Sequence, residues 1–409
     1  MVGSSVSLLL PLLSAAYALP TTSTTTNGKP AQALKERASA CTPSAGGSES
    51  TDDVPAITSA IAECSSGAIV LPAGTTYYAN SVLDFDGCAG CDFQIEGTLK
   101  FTGSTDVWNG ETAMMNIKNI DGIKIRSTTG SGVIDGNGQG SWDLFAQDES
   151  YARPTLLYIT GGSDIQVSNF AQKNPPNVFN SVKGGSTNVV FSDLNMTAKS
   201  TSDNEPKNTD GFDIGESTYV TLTNINVVND DDCVAFKPSA NFVTVDTITC
   251  TGSHGISVGS LGKGSDDSVK NIYVSNAKMI DSSKAAGIKT YPSGNNHGTS
   301  TVSNVTFTDF TVDNSDYAFQ IQSCYGEDDS YCESSPGNAK LSEIVIKGFS
   351  GTTSDKYDPT TANINCGSGG TCGVTISDWT VKAASGSGEI LCSNTPSDLG
   401  VECRSGASG

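Results

Sequence analysis

Four short polar runs recur through the middle of this 409-residue chain at a step of between about 20 and 35 residues, and that step limits the folds open to it. The runs are Asn208-Thr209-Asp210, Asp230-Asp231-Asp232-Cys233, Ser253-His254-Gly255 and Gly287-Ile288-Lys289. Asp210 precedes Asp231 by 21 residues, Asp231 precedes His254 by 23, and His254 precedes Lys289 by 35, with a Gly/Ser/Asp-rich insert from Gly262 to Ser268 in the last interval. In a solenoid each repeat makes one turn, so residues one repeat apart lie side by side. With neighbouring strands about 4.8 Å apart, the spacing predicts a column of Asp210, Asp231, His254 and Lys289 on one face. Carboxylates beside an imidazole and an ammonium are what glycosidic hydrolysis requires.

The rest of the chain repeats in the same way. Strand-like runs such as Ala68–Leu71, Phe93–Ile95, Ile123–Ile125, Ile165–Val167, Val189–Phe191, Tyr219–Leu222, Val243–Val245, Ile272–Val274, Val305–Phe307 and Ile344–Ile346 are separated by Gly, Asn, Asp or Ser. Asn-Gly or Asp-Gly two-residue loops do not link them, so parallel pairing through long turns fits better than a meander. A β-propeller would need about four strands per 40 to 50 residues, roughly twice what the sequence offers. The reading is an all-β, single-domain parallel β-helix. Thr51-Asp52-Asp53 before Pro55 is a helix start, and Val54, Ile57, Ile61 and Cys64 follow at helical spacing. A short helix there would cap the open N-terminal end of the stack.

The first 18 residues, apolar through Leu8–Leu13 and closing on Ala16-Tyr17-Ala18, read as a secretory signal. Residues 19–37, rich in Thr, Ser, Pro and Ala and ending Lys35-Glu36-Arg37, read as a pro-segment or equally as a flexible tail, which leaves 38–409 as the folded domain. No later run approaches the roughly 18 apolar residues of a membrane span. Twelve cysteines behind a signal imply an oxidising compartment and disulfides. They cluster as Cys41/Cys64, Cys88/Cys91, Cys233/Cys250, Cys324/Cys332, Cys366/Cys372 and Cys392/Cys403, which suggests short staples; sequence alone leaves the connectivity open. Cys88-Ala-Gly-Cys91 has a metal-site alternative, but no second pair at zinc spacing accompanies it. A net charge of −21 argues against nucleic acid and implies that an acidic polymer would be bound best at acidic pH. Asn195-Met196-Thr197 and Asn304-Val305-Thr306 are acceptor sequences for N-glycosylation, whereas Asn394-Thr395-Pro396 is not.

At its four polar runs the chain resembles glycoside hydrolase family 28, the polygalacturonase family: N-T-D, D-D-C, S-H-G and x-I-K occur in that order and at similar spacing. Val133–Gly138 and Arg153–Tyr158 resemble further landmarks of the family. The resemblance implies a right-handed helix of strands, a Cys233–Cys250 bridge, and hydrolysis of α-1,4-galacturonosyl links with inversion. It implies Asp231 as general acid, Asp210 and Asp232 as the carboxylates that hold and activate water, and His254 as their hydrogen-bonding partner. Lys289 would pair with a substrate carboxylate and Tyr325 would stack on a sugar. Adjacent turns stand nearer than the roughly 6.5–9.5 Å expected between the carboxylates of an inverting enzyme, so side-chain directions would have to open the gap. Without the resemblance, the acidic runs read equally as a solvated turn or a Ca²⁺ site, His254 as a structural histidine, and Lys289 and Tyr325 as surface residues. His297, in a Gly/Asn/Ser loop, reads as surface.

One position departs from the family. Gly287 stands where most members carry an arginine, and neither Arg126 nor Arg153 obviously replaces it. Gly287 would then leave space for a side branch on the sugar; the plain alternative is a turn that prefers glycine. With Phe236-Lys237-Pro238 and Lys284–Lys289, this departure resembles the fungal members of the family that act on xylose-decorated galacturonan. The expected protein is a secreted, endo-acting, monomeric enzyme with a pectic polysaccharide as its partner and no metal or other cofactor. The alternatives are an exopolygalacturonase acting on undecorated polymer, a Ca²⁺-dependent lyase, and a non-catalytic carbohydrate-binding β-helix.

Overall fold

Every strand pairing among the described residues is parallel, and successive turns of the chain add rungs to two sheets, of 16 and 12 strands, the earliest turns placing two short strands each in the larger one. The structure, a computed structural model, describes residues 40–294 and 296–409. The expected signal and pro-segment lie outside the described residues. The architecture is a right-handed parallel β-helix. Its long sheet has a strand at each of the strand-like runs named from the sequence, shifted by one residue at Lys124–Arg126. The 12-stranded sheet was not visible as strands, because its members near the centre are buried throughout: Asp232–Phe236 and Ala286–Thr290 have no exposed residue and hence no alternation to read.

Register converts repetition into a core. Val189, Val220, Val243, Ile272, Val305, Ile344 and Val374 pair in succession across seven strands, and all are buried. Phe310 pairs with Phe349, and their rings stack 4.5 Å apart at 4°, with Trp379 stacked next at 5.5 Å. The strands bend at corners that require φ > 0. One corner column runs Asp193, Asn224, Thr247, Asn276, Asp309, Gly348, with φ between 54 and 68°. Asn and Asp tolerate this conformation, and their side chains bond along the stack, as where Asn224 Nδ2 donates to Asp193 Oδ1 at 2.6 Å.

The capping helix forms over Val54–Glu63 and buries Val54, Ile57, Ala60 and Ile61. Its start is fastened indirectly: Asp53 accepts from the Gly46 and Tyr78 amides rather than capping the helix. The cysteines pair as sequence neighbours in all six groups, Cys88 with Cys91 included, which closes the metal alternative for that pair. Cys41–Cys64 ties the cap to the first rung, where Cys41 bridges Ile69.

Truncating Phe349 to alanine empties the centre of the Phe310–Phe349–Trp379 stack. It should cost about 3–5 kcal/mol of stability, read as a shift in the denaturant midpoint at unchanged slope.

Candidate active site

Three carboxylates meet where the chain enters the 12-stranded sheet. Phe212 pairs with Val234, which sets Asp210 level with Asp232 on the next turn. The three acids Asp210, Asp231 and Asp232 each offer an oxygen within 4.8 Å of the others. The turn carrying them is pinned by Asn229, whose Nδ2 donates to the carbonyls of Thr209, Asp231 and Asp232. So close a set lies below the separation expected of an inverting pair, and the side chains do not open the gap in the free protein.

Each acid has its own cation. Lys289 Nζ donates to Asp232 Oδ2 at 2.6 Å, with both side chains buried, and Ser257 Oγ donates to the other oxygen at 2.8 Å. Lys237 Nζ stands 3.6 Å from Asp210 Oδ2 and 3.2 Å from Asp213 Oδ1. His254 Nδ1 lies 3.1 Å from Asp231 Oδ1, and its ring is half exposed. A metal ion on these oxygens would have to displace the Lys289 ammonium, so the donor set favours protein cations over a bound ion. Lys289, expected to meet a substrate carboxylate, is committed to Asp232 in the free protein.

These partners separate the acids electrically. Burial and the neighbouring Asp213 and Asp231 push the Asp210 carboxyl well above the usual carboxylate range. Burial also acts against ionisation of Asp231, but the His254 hydrogen bond and charge and the Asp232 amide outweigh it and hold Asp231 at about 2. The same hydrogen bond raises the His254 imidazole. Burial opposes the charge on Lys289, and Asp232 overrides it and raises its pKa.

The expected column needs two corrections: Asp210 is level with Asp232 rather than Asp231, and Lys289 is displaced from it. Counting back from the Ile256–Ala286 pair, the residue level with His254 is Lys284, not Lys289. The 262–268 insert and the longer strand lengthen that interval, and Lys289 reaches back to Asp232 from farther along its strand. Lys284 Nζ donates to the His254 carbonyl at 2.7 Å, and burial and Lys289 lower its pKa to about 8.

Gly287 is corrected as well. It lies within the strand Ala286–Thr290 rather than in a turn, and it does not face empty space. A Cβ there would stand 2.5 Å from the Gln320 carbonyl oxygen and 2.9 Å from Cδ and Cε of Lys284. The glycine admits the Lys284 stem and the neighbouring strand. Room for a ligand comes instead from a cleft of about 260 Å³ beside it, walled by His254, Lys284, Lys289, Gln320, Tyr325 and Tyr357 among others. Tyr325 is in this wall, its ring centre 5.4 Å from Lys289 Nζ.

Other residues were placed wrongly or missed. His297 is not a surface residue: only 7% of its side chain is exposed. Its ring stacks on Tyr291 and meets Tyr331 edge-on, and Nε2 lies 3.0 Å from Glu327. Arg126 pairs with Asp92, away from the acids. Arg153 backs the site: its guanidinium donates to Asn208 Oδ1 at 2.7 Å, and Asn208 Nδ2 donates to Asp231 Oδ2 at 3.1 Å. Asn208, Ser257, Lys237 and Lys284 belong to the site. Asn208, Lys237 and Lys284 lay in runs singled out from the sequence but without a role of their own, and Ser257 lay in none, because a partner's identity depends on register. Asn195 and Asn304 are both exposed on the long sheet, outside the cleft.

Comparison with known proteins follows the same lines. The profile of Glycosyl hydrolases family 28 matches residues 63–403. A probable endo-xylogalacturonan hydrolase A of Aspergillus niger is 70% identical over 403 residues, 98% of each chain. Endo-xylogalacturonan hydrolase A of Aspergillus tubingensis is 74% identical over 370 residues, 90% of this chain and 91% of that one. The crystal structure of the A. tubingensis enzyme superposes with a TM-score of 0.90 at 73% identity, covering 91% of this chain and 100% of that one. A polygalacturonase of Erwinia carotovora shares the fold at a TM-score of 0.71 and 19% identity, covering 90% and 98%.

Two measurements test the charge pairing. Lys289→Met leaves Asp232 buried and uncompensated and should cost about 3–5 kcal/mol, with part recovered in Lys289→Met/Asp232→Asn, by chemical denaturation. For the His254–Asp231 pair, the raised histidine stabilises the fold fully below its unfolded value of 6.5 and loses that as pH rises through its folded value. The depressed Asp231 contributes fully above 3.8 and loses that as pH falls towards about 2. The stability difference between wild type and His254→Asn should therefore be greatest between 3.8 and 6.5 and decline on both sides.

Proposed function

Because the chain belongs to glycoside hydrolase family 28, we propose that it is an endo-acting glycosidase that hydrolyses α-1,4-galacturonosyl links in xylose-substituted galacturonan. The observation that carries the reading is the triad of Asp210, Asp231 and Asp232, each with its own cation, at the edge of the cleft. Relatives 70% and 74% identical, named for xylogalacturonan, support the substrate. The six disulfides fit a secreted, extracellular protein, and the chain acts on pectin outside the cell.

Asp231 is the general acid. In the free protein it is ionised against His254, so the proton it delivers is shared across that hydrogen bond. A bound uronate chain brings negative charge and excludes water, and both raise the Asp231 pKa towards a working acid. The proton then passes to the glycosidic oxygen as that bond breaks. Asp232, held by Lys289 and Ser257, accepts a proton from the water that attacks the anomeric carbon. Asp210, kept protonated by burial beside Asp213 and Asp231, donates a hydrogen bond to that water. The products are a new reducing end and a new non-reducing end, with inversion at the anomeric carbon. The short separation between the acids requires the substrate and the water to part them on binding. Tyr325 stacks on a sugar beside the Lys289 ammonium.

The test is turnover of xylogalacturonan and of bare polygalacturonate in EDTA, followed by reducing ends and product size. The expected outcome is short xylosylated oligomers from the decorated polymer, little from the bare one, and no unsaturated, ultraviolet-absorbing product. Asp231→Asn should lower this turnover at least about 10²-fold. Release of monomer from bare polymer would make the enzyme an exopolygalacturonase, and retained activity in Asp231→Asn would remove that residue as the acid.

A further inference from the structure

A second groove, of about 550 Å³, lies on the outer face of the 16-stranded sheet and shares no lining residue with the catalytic cleft. Three aromatic rings open into it: Tyr219, Phe242 and Tyr273, which are 58, 45 and 47% exposed. Tyr219 and Phe242 stack face to face, 5.0 Å apart and 9° from parallel. Both occupy a corner column whose other members in the groove are asparagines: Asn188, Tyr219, Phe242, Asn271, Asn304. All five have φ between 52 and 58°. Asparagine accepts that conformation readily, whereas a bulky side chain there is strained. Stability alone would favour asparagine at 219 and 242. Two exposed, strained rings in its place mean that something covers them.

The groove itself says what. Asn304 closes one end of it, is exposed, and begins the acceptor sequence Asn304-Val305-Thr306. Thr306 is also in the wall and pairs in register with Tyr273. Asn304 is two rungs, about 10 Å, from Phe242. The Asn304 amide donates to Asn271 Oδ1 at 2.7 Å, and a substituted amide keeps one N–H for that bond. No lining residue is charged. An acidic polysaccharide would find no cation here, on a chain of net charge −21. A neutral glycan needs none, and one attached at the groove's end is present at high effective concentration.

We propose that Asn304 carries an N-linked glycan whose first sugars lie along this groove, on the faces of Tyr273, Phe242 and Tyr219, with the Asn188 and Asn271 amides at its edges. The other acceptor provides the contrast. Asn195 is level with Asn226, Thr249, Lys278 and Thr311, and no ring stands in that row. A glycan there has no platform to lie on.

The test uses the full chain secreted from a glycosylating eukaryotic host. Mass spectrometry of the Asn304 peptide reads occupancy, and Tm is measured for wild type, Thr306→Ala, Phe242→Asn and the double variant. Thr306→Ala removes the acceptor sequence but leaves the Asn304–Asn271 bond, and the same variant from a non-glycosylating host reads the bare side-chain effect. The expected result is an occupied Asn304, with glycan loss lowering Tm by at least about 2 °C in wild type and by less than half as much in the Phe242→Asn background. Thr197→Ala, at the other acceptor, should shift both backgrounds equally. Trimming the glycans of the folded wild-type protein with an endoglycosidase, which needs no variant, should raise acrylamide quenching of tyrosine fluorescence. An unoccupied Asn304, equal Tm shifts in the two backgrounds, or unchanged quenching would each overturn the proposal.

Discussion

In-register parallel pairing is the constraint on which the rest of this protein depends. A rung cannot slip by one residue without turning its buried side chains outward. Once Val220 lies against Val243, the paired positions along those two strands are fixed, and the catalytic loop that follows is held close to the same register, with one shift between Asp232 and Val234. The same register that stacks Phe310 on Phe349 stacks Asp210 beside Asp232. Core and active site are thus two consequences of one repeat. In the core, repetition gathers like with like at a gain. At the site it gathers like charges, at a cost that has to be offset locally.

Cations of the same chain provide that offset. Lys289, Lys237 and His254 each reach a different acid, and each comes from a different turn. The result is a set of chemically identical carboxyl groups with different proton affinities: one with its pKa lowered to about 2, another pushed upward by burial and neighbours. Lys284 extends the arrangement by holding the backbone of His254, and the Gly287 position lets its stem pass. A glycine that reads as empty space in sequence is, in three dimensions, occupied by its neighbour. The open volume belongs to the cleft and is made by several turns together.

Much of this was legible beforehand. The acidic runs, the capping helix and one strand per turn could be read because each depends on local pattern or on a repeat step; the clustering of the cysteines suggested short staples, and the structure settled their pairing. The second sheet could not, because the strands Asp232–Phe236 and Ala286–Thr290 are buried on both faces and lose the alternation that marks a strand. His297 could not be placed either. Its loop is polar and glycine-rich, yet tertiary packing closes Tyr291 and Tyr331 around the ring. The corner asparagines carried an unread signal: their regular recurrence marks the left-handed bends, and Tyr219 and Phe242 are conspicuous only against that series.

The sequence by itself determined the solenoid, from residue types at repeated spacing, and the family, through the resemblance of its four polar runs, and it marked the three acids that the structure brings together. Which cation meets which acid, and that Lys284 rather than Lys289 lies level with His254, was decided only by the tertiary structure. The physical reason is that register and insert length set those pairings, and a shift of a few residues, invisible as a pattern, moves a charge from one partner to another.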